Sequence, residues 1–253
     1  MTIRRLLYIT ELESPAYESL ESLMVLRDVG LEEVLLLFPG GAEEWKAGGP
    51  DYGIQLKSIT GDGPLLTRVK QAVQKEEISV IAAYLERRHR KGGGRLAMRN
   101  LMRSSPSAVI FMNENALASS ATDKGLFHHI VFATDWSPVS RRALEYLVLN
   151  FRPLIKMLEI VNVVNKRLSV RDIRILRKKL AETRKVFLDM GIDAESHIYA
   201  GKTPEEILLA AKDYEATTIA MGTSGRSSLM EMFSGSYSYR VAEEAEVPVL
   251  LVP

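Results

Sequence analysis

The stretch Gly222-Thr223-Ser224-Gly225, followed by nine residues and then Gly235-Ser236, has the residue types and spacing to hold an anion. Glycines let a backbone turn tightly and approach a ligand. Free N–H groups at the start of a helix add donors and the positive end of its dipole. A strand-like apolar run precedes the stretch and a helix-like one follows it, as in a phosphate-binding loop. It is not G-x-x-x-x-G-K-[ST]. It also lacks the G-x-G-x-x-G spacing of dinucleotide folds and follows a late strand, which disfavours a generic nucleoside triphosphatase. Taken alone, these glycines are equally plain turn residues; the strand, helix and aspartate around them favour a ligand.

Other groups with suitable chemistry stand at predicted strand ends. One strand delivers Thr134-Asp135, the next Asn162-Val163, and a later one Met221-Gly222. In a doubly wound sheet such ends open onto one crevice, where ligands sit. Asp135 is an acceptor and cannot anchor phosphate. It suits a ribose hydroxyl, a base amine or a divalent metal carried by the phosphates, and it also suits a helix cap before Ser137-Pro138. Val163 and Met221 offer either an apolar slot for a base or ordinary core. Gly235 and Ser236 present N–H groups and a hydroxyl to phosphate oxygens, with Gly222 and Gly225 keeping the loop close to the ligand. Together they describe a nucleotide.

The elements that must position these groups repeat once along the chain. Leu6–Glu11 with Ser14-Pro15 parallels Ile130–Asp135 with Ser137-Pro138; Gly61-Asp62-Gly63-Pro64 parallels Gly201-Lys202-Thr203-Pro204; Ser79–Ala82 parallels Thr217–Ala220. Each half closes on an apolar run, Ala108–Met112 and Val249–Val252. In the second half, strands are predicted at Ile130–Thr134, Met157–Val163, Ala194–Tyr199, Thr217–Met221 and Val249–Val252. Helices are predicted near Ser140–Leu149, Val170–Met190, Pro204–Asp213 and Ser234–Glu244. Apolar strands alternating with helices indicate a doubly wound α/β fold with a parallel sheet covered on both faces. Within the long helix, Ile173, Leu176, Leu180, Val186 and Leu188 recur near helical spacing, and Pro204-Glu205-Glu206 opens the next. In the first half, strands at Glu33–Phe38 and Gly53–Ser58 flank Pro39-Gly40-Gly41 and Gly48-Gly49-Pro50, which predicts a loop in place of the long helix. Asn113–Leu126 reads as the connection between halves, giving domains at 1–113 and 127–253 with a linker at 114–126.

Composition narrows the function classes. The 253 residues are 46% apolar, enough for a substantial core, and a formal net charge of +1 creates no global field for nucleic acid or an anionic membrane. Apolar runs such as Val34–Phe38 are far short of the roughly 20 residues that span a bilayer. With no cysteine, disulfides and thiolate chemistry are excluded, which suits a cytoplasmic protein. Arg87-Arg88-His89-Arg90-Lys91 with Arg95, Arg99 and Arg103 forms a basic cluster without interleaved aromatics, so a solvated face is favoured over RNA. Adjacent His128 and His129 point to opposite faces of a strand, which favours a structural role over metal binding.

The combination of Ile130–Asp135, Ser137, Val163, Gly201, Ile207, Met221-Gly222-x-x-Gly225-(nine)-Gly235-Ser236 and the closing Val247–Val252 resembles the universal stress protein family. More narrowly, it is similar to the ATP-binding branch. The resemblance covers His129–Pro253 and extends to the first half in outline. It implies two tandem Rossmann-like α/β domains, each with a mostly parallel five-stranded sheet. It also implies an intrachain pseudo-dimer joined near Ala108–Met112 and Val249–Val252, with further homodimerisation open. The implied ligand is ATP or AMP, with Mg2+ on the phosphates left open. By position, Asp135 falls at the adenosine, Val163 by the adenine, and Met221, Gly222, Gly225, Gly235 and Ser236 along the ribose and phosphates. Their neighbours Ala133, Thr134, Ser137, Arg226 and Tyr237 complete the candidate set. Ala133 stands where many members have proline. In the first half Glu11 replaces the aspartate, while Tyr84 and Arg87 stand at the places of Gly222 and Gly225, so that site is expected to be degenerate despite Gly92-Gly93-Gly94.

No Ser-His-Asp arrangement, paired-carboxylate motif or metal-ligand cluster is readable, and one aspartate does not supply phosphoryl transfer. The leading expectation is a nucleotide-binding regulatory or stress-response switch without a catalytic residue. A slow ATPase or phosphotransfer enzyme, and a nucleotide-independent scaffold, are the alternatives.

Overall fold

The computed structural model describes residues 3–10, 17–37, 53–59, 63–85, 93–116, 125–164, 167–223 and 237–253. The first half contains β1 (Arg5–Thr10), α1 (Tyr17–Ser22) continued by a 3-10 turn at Leu23–Val29, and β2 (Glu33–Leu37). It continues with β3 (Gln55–Ser58), α2 (Leu65–Glu76), β4 (Val80–Leu85), α3 (Gly93–Ser104) and β5 (Val109–Asn113). The second half contains β6 (His129–Ala133), α4 (Pro138–Phe151), β7 (Met157–Val164) and α5 (Val170–Asp189). It ends with β8 (Asp193–Ala200), α6 (Thr203–Asp213), β9 (Thr218–Gly222), α7 (Tyr237–Glu244) and β10 (Val249–Val252). Predicted and observed strands of the second half differ by a residue at most ends. The expectations on Glu11, Ser14-Pro15, Pro39–Pro50, Gly61-Asp62 and Arg87–Gly92 lie outside the described residues.

The ten strands form one sheet in the order β3-β2-β1-β4-β5-β10-β9-β6-β7-β8. Every pairing within a half is parallel, and the halves meet through one antiparallel pair, β5 with β10. Each half is a doubly wound α/β unit of five parallel strands. At the junction Ile110 faces Leu250, flanked by Phe111 opposite Val249 and Val109 opposite Leu251. A local pseudo-twofold axis therefore passes between Ile110 and Leu250.

The core lies on both faces of this sheet and runs across the junction. One layer gathers Leu20 of α1, Leu147 and Phe151 of α4, and Leu176, Leu180 and Phe187 of α5. The other gathers Val69 of α2, Leu101 of α3, Ile207 of α6 and Val241 of α7. Each such residue contributes about 1.5–3 kcal/mol by leaving water. In α5 the 3.6-residue period runs through Leu176, Leu180, Thr183 and Phe187, whereas the expected Ile173, Val186 and Leu188 are exposed, the last two off that stripe. Ser169 and Asp172 close a capping box at its start. Between the halves, residues 117–124 are not described, but both flanks of the expected linker are anchored. Asn113 Nδ2 donates to the Ala245 carbonyl at 3.0 Å, and Phe127 stacks on Phe151 at 4.3 Å between ring centroids.

Candidate functional site

The turn from β6 into α4 is held rigidly by its own short polar side chains. Ser137 caps α4 by accepting from the Ser140 N–H at 3.3 Å, and Pro138 occupies the first helical position, where its missing N–H costs nothing. Asp135 Oδ1 accepts from the Ser137 N–H at 2.9 Å and so forms a local turn, while the helix cap expected of it falls to Ser137. Thr134 Oγ1 accepts from the Trp136 N–H at 3.1 Å and lies 3.1 Å from Ser140 Oγ. Trp136 has a left-handed φ of 58° and is held by its indole N–H donating to Thr183 Oγ1 at 3.1 Å, with Lys179 over its ring. Burial pulls the Asp135 carboxyl upward, but hydrogen bonds from Ser137 and Ser140 outweigh it and hold the group below the ordinary carboxylate value. The turn thus presents an exposed anionic carboxylate at the carboxyl end of β6.

The neighbouring strands bring the next candidates to the same edge. Ala133 pairs with Val161 of β7 and with Met221 of β9. Ala133 and Met221 are buried, and Val163 packs against the same layer as both, on the side of α6 and α7. Asn162, outside the candidate set, is buried and donates through Nδ2 to the Thr134 carbonyl at 2.7 Å, locking the ends of β6 and β7 together. A buried asparagine at a strand end is the sequence signal that such a lock leaves.

Gly222 has a reason beyond ligand approach. A Cβ there would lie 2.7 Å from Val139 Cγ1 and 2.8 Å from the Val139 carbonyl carbon, inside contact distance of the α4 backbone. Its lack of a side chain lets β9 pass under the first turn of α4. Beyond it, the Thr223 N–H donates to the Val252 carbonyl at 2.8 Å. Gly225, Arg226, Gly235 and Ser236 lie outside the described residues. Tyr237, the first residue of α7, is partly exposed and lines an open cavity of about 960 Å3 beyond the ends of β7 and β8.

Cations dominate the charge around that cavity, with Arg167, Arg177, Lys202 and Arg240 in its lining. Arg240 donates to Glu205 Oε1 at 3.1 Å and approaches Glu244 at 3.5 Å. Glu205 stands at the third position of α6, where its own backbone N–H is an orphan donor. That hydrogen bond first, then the Arg240 guanidinium, hold its carboxyl below the ordinary value against partial desolvation.

In the first half the register fixes the equivalent positions. Ile9 faces Ala83 as Ala133 faces Met221, so Tyr84 occupies the place of Gly222. Its ring is buried in the layer that contains Leu20 of α1, where the second half has no side chain.

Residues 126–253, just over half of the chain, match the family model for the universal stress protein family. The chain belongs to this family. It is 35% identical over 75 residues to universal stress protein YxiE of Bacillus subtilis, a match covering 30% of this chain and 51% of that one. The chain thus spans about half the length of that relative. It is 24% identical over 150 residues to universal stress protein MJ0577 of Methanocaldococcus jannaschii, covering 59% of this chain and 88% of that one. Among solved structures, a universal stress protein from Archaeoglobus fulgidus DSM 4304 shares the fold over nearly the whole length. The TM-score is 0.71 at 23% identity, with coverage of 99% of this chain and 96% of that one. Among the described residues, no helix is long and apolar enough to cross a membrane.

Proposed function

We propose that the second half binds one adenine nucleotide, ATP or AMP, and that the chain works as a nucleotide-responsive regulatory protein rather than an efficient enzyme. The observation that carries this reading is the β6–α4 turn, which fixes an exposed anionic Asp135 at the strand ends beside Gly222. A carboxylate so placed accepts from ribose hydroxyls or a base amine. The sequence Gly222-x-x-Gly225-(nine)-Gly235-Ser236 supplies the phosphate donors. Family membership supports the same ligand: universal stress proteins have been solved with cAMP and, from Archaeoglobus fulgidus, with dAMP. If Mg2+ accompanies the phosphates, Asp135 is the residue in this set with the chemistry to meet it. The halves differ, with Tyr84 filling the place of Gly222 in the first, so one nucleotide per chain is expected.

The experiment is purification without added nucleotide, release of bound ligand by denaturation and its identification by mass spectrometry, then turnover measurement with Mg2+. Intact ATP or AMP at one equivalent with negligible turnover supports the switch. Multiple turnover abolished by Asp135→Ala would replace it with an enzyme. Absence of both retained ligand and binding on titration would leave a scaffold.

A further inference from the structure

A second polar cluster crosses the second-half sheet on β6, β7 and β8, from His129 at the start of β6 to His197, which is in register with Val161. Glu159 is buried, and its two carboxylate oxygens face two imidazoles. His129 Nε2 stands 3.0 Å from Oε1, and His197 Nε2 stands 2.6 Å from Oε2. Glu195 is paired directly opposite Glu159 across β7 and β8, so the two carboxylates share a face of the sheet. Ligand atoms of Glu159, Glu195 and His197 lie within 4.8 Å of one another.

The first half builds the corresponding corner from different chemistry: Lys57 stands where the second half has Glu195 and Arg5 where it has His129, both paired to the buried Glu33. By the register that equates Ile9 with Ala133, the first half places Leu35 where the second places Glu159, and Ile59 where it places His197. Leu35 is 1% exposed and part of the core. The same scaffold therefore closes with an apolar residue at a position that the second half gives to a buried carboxylate. Burying a charge costs several kcal/mol before its partners compensate, and an apolar replacement is commonly neutral or better. Two glutamates placed directly across a strand pair add repulsion.

We propose that Glu159, Glu195 and His197 form a binding site for a divalent transition-metal ion of the zinc class. Imidazole nitrogen with carboxylate oxygen is a donor set that zinc takes at about 2.0–2.2 Å, with water completing a tetrahedron. The ion replaces the proton that joins His197 Nε2 to Glu159 Oε2, the two atoms moving apart by less than about 1 Å. For the neutral ring, that proton moves to Nδ1, where the Tyr214 hydroxyl, 3.1 Å away and stacked on the imidazole, accepts it. His129 stays on Oε1 and orients the carboxylate. Glu159 and His197 thus already have the outer hydrogen-bond partners that metal ligands require. Exposed Glu195 and partly exposed His197 leave the ion a way in from the edge strand.

The test uses the full chain, treated with chelator and dialysed, with Zn2+ alone titrated calorimetrically at neutral pH and Co2+ as a spectroscopic probe. One zinc per chain is expected, with a raised melting temperature and the intense visible absorption of four-coordinate Co2+. Glu195→Gln, at an exposed position, and His197→Gln, with folding checked by circular dichroism, should each weaken binding about tenfold or more. Tyr214→Phe keeps the stacked ring, removes the outer partner, and should cost about tenfold. Absence of saturable zinc binding, or full-strength binding in both Glu195→Gln and His197→Gln, would overturn the proposal and leave a self-contained hydrogen-bond network.

Discussion

At the residue scale, Asp135 and Gly222 each combine a structural task with a proposed binding task, and substitutions can separate the two. Asp135→Asn keeps an acceptor for the Ser137 N–H but removes the charge. Thermal stability at neutral pH should fall by less than in the alanine variant, while nucleotide affinity falls. Asp135→Ala should lower both, with a stability loss of about 1 kcal/mol for the lost hydrogen bond. The carboxyl is held below its ordinary value in the folded chain, so the unfolded chain binds the proton more tightly. Its contribution is therefore present above the unfolded value near 3.8 and fades as pH falls through the lower folded value. Acid unfolding curves should show this increment in the parent and lose it in Asp135→Asn. Gly222→Ala drives a Cβ into the Val139 backbone and should cost about 1–3 kcal/mol, seen as a lowered melting temperature with or without nucleotide.

At the element scale, the two halves show how far a strand's register decides what its end can do. Tyr84 puts a buried ring at the register position where the second half has Gly222. Removing the ring should not recreate a site: Tyr84→Ala should cost about 3–5 kcal/mol as a core cavity and leave the nucleotide stoichiometry at one per chain. Much of this was legible in the chain. Ser137-Pro138 announced the start of α4, the apolar runs announced parallel strands, and Tyr84 at the glycine position announced the asymmetry. The close approach of Val139 to Gly222 was not legible, because it depends on how α4 crosses β9. The stripe of α5 departs from the sequence pattern at Ile173, Val186 and Leu188, because long helices carry apolar residues at their ends and off the buried face as well. The Glu159 cluster was hidden because its members come from three strands. The alternation Glu195-x-His197, two residues on one face, was its single local trace.

At the scale of the whole molecule, the antiparallel β5–β10 pair makes one chain do what two copies of a single unit would do. Ile110 opposite Leu250, with Val109 opposite Leu251 and Phe111 opposite Val249, is the pairing a twofold axis would generate from two identical strands. Separating the halves uncovers that edge. In residues 127–253 alone, the buried row Val249–Val252 becomes an unpaired strand edge flanked by apolar surface, a template for another strand. A second copy of the same fragment can meet it with Leu250 opposite Leu250 and Val249 opposite Leu251. Sedimentation equilibrium should therefore find the fragment dimeric. Leu250→Lys should return it to a monomer, because the axis places two like charges directly across the strand pair. A fragment that stays monomeric without the substitution would show that the junction depends on residues peculiar to β5, not on the symmetry of the closing strands.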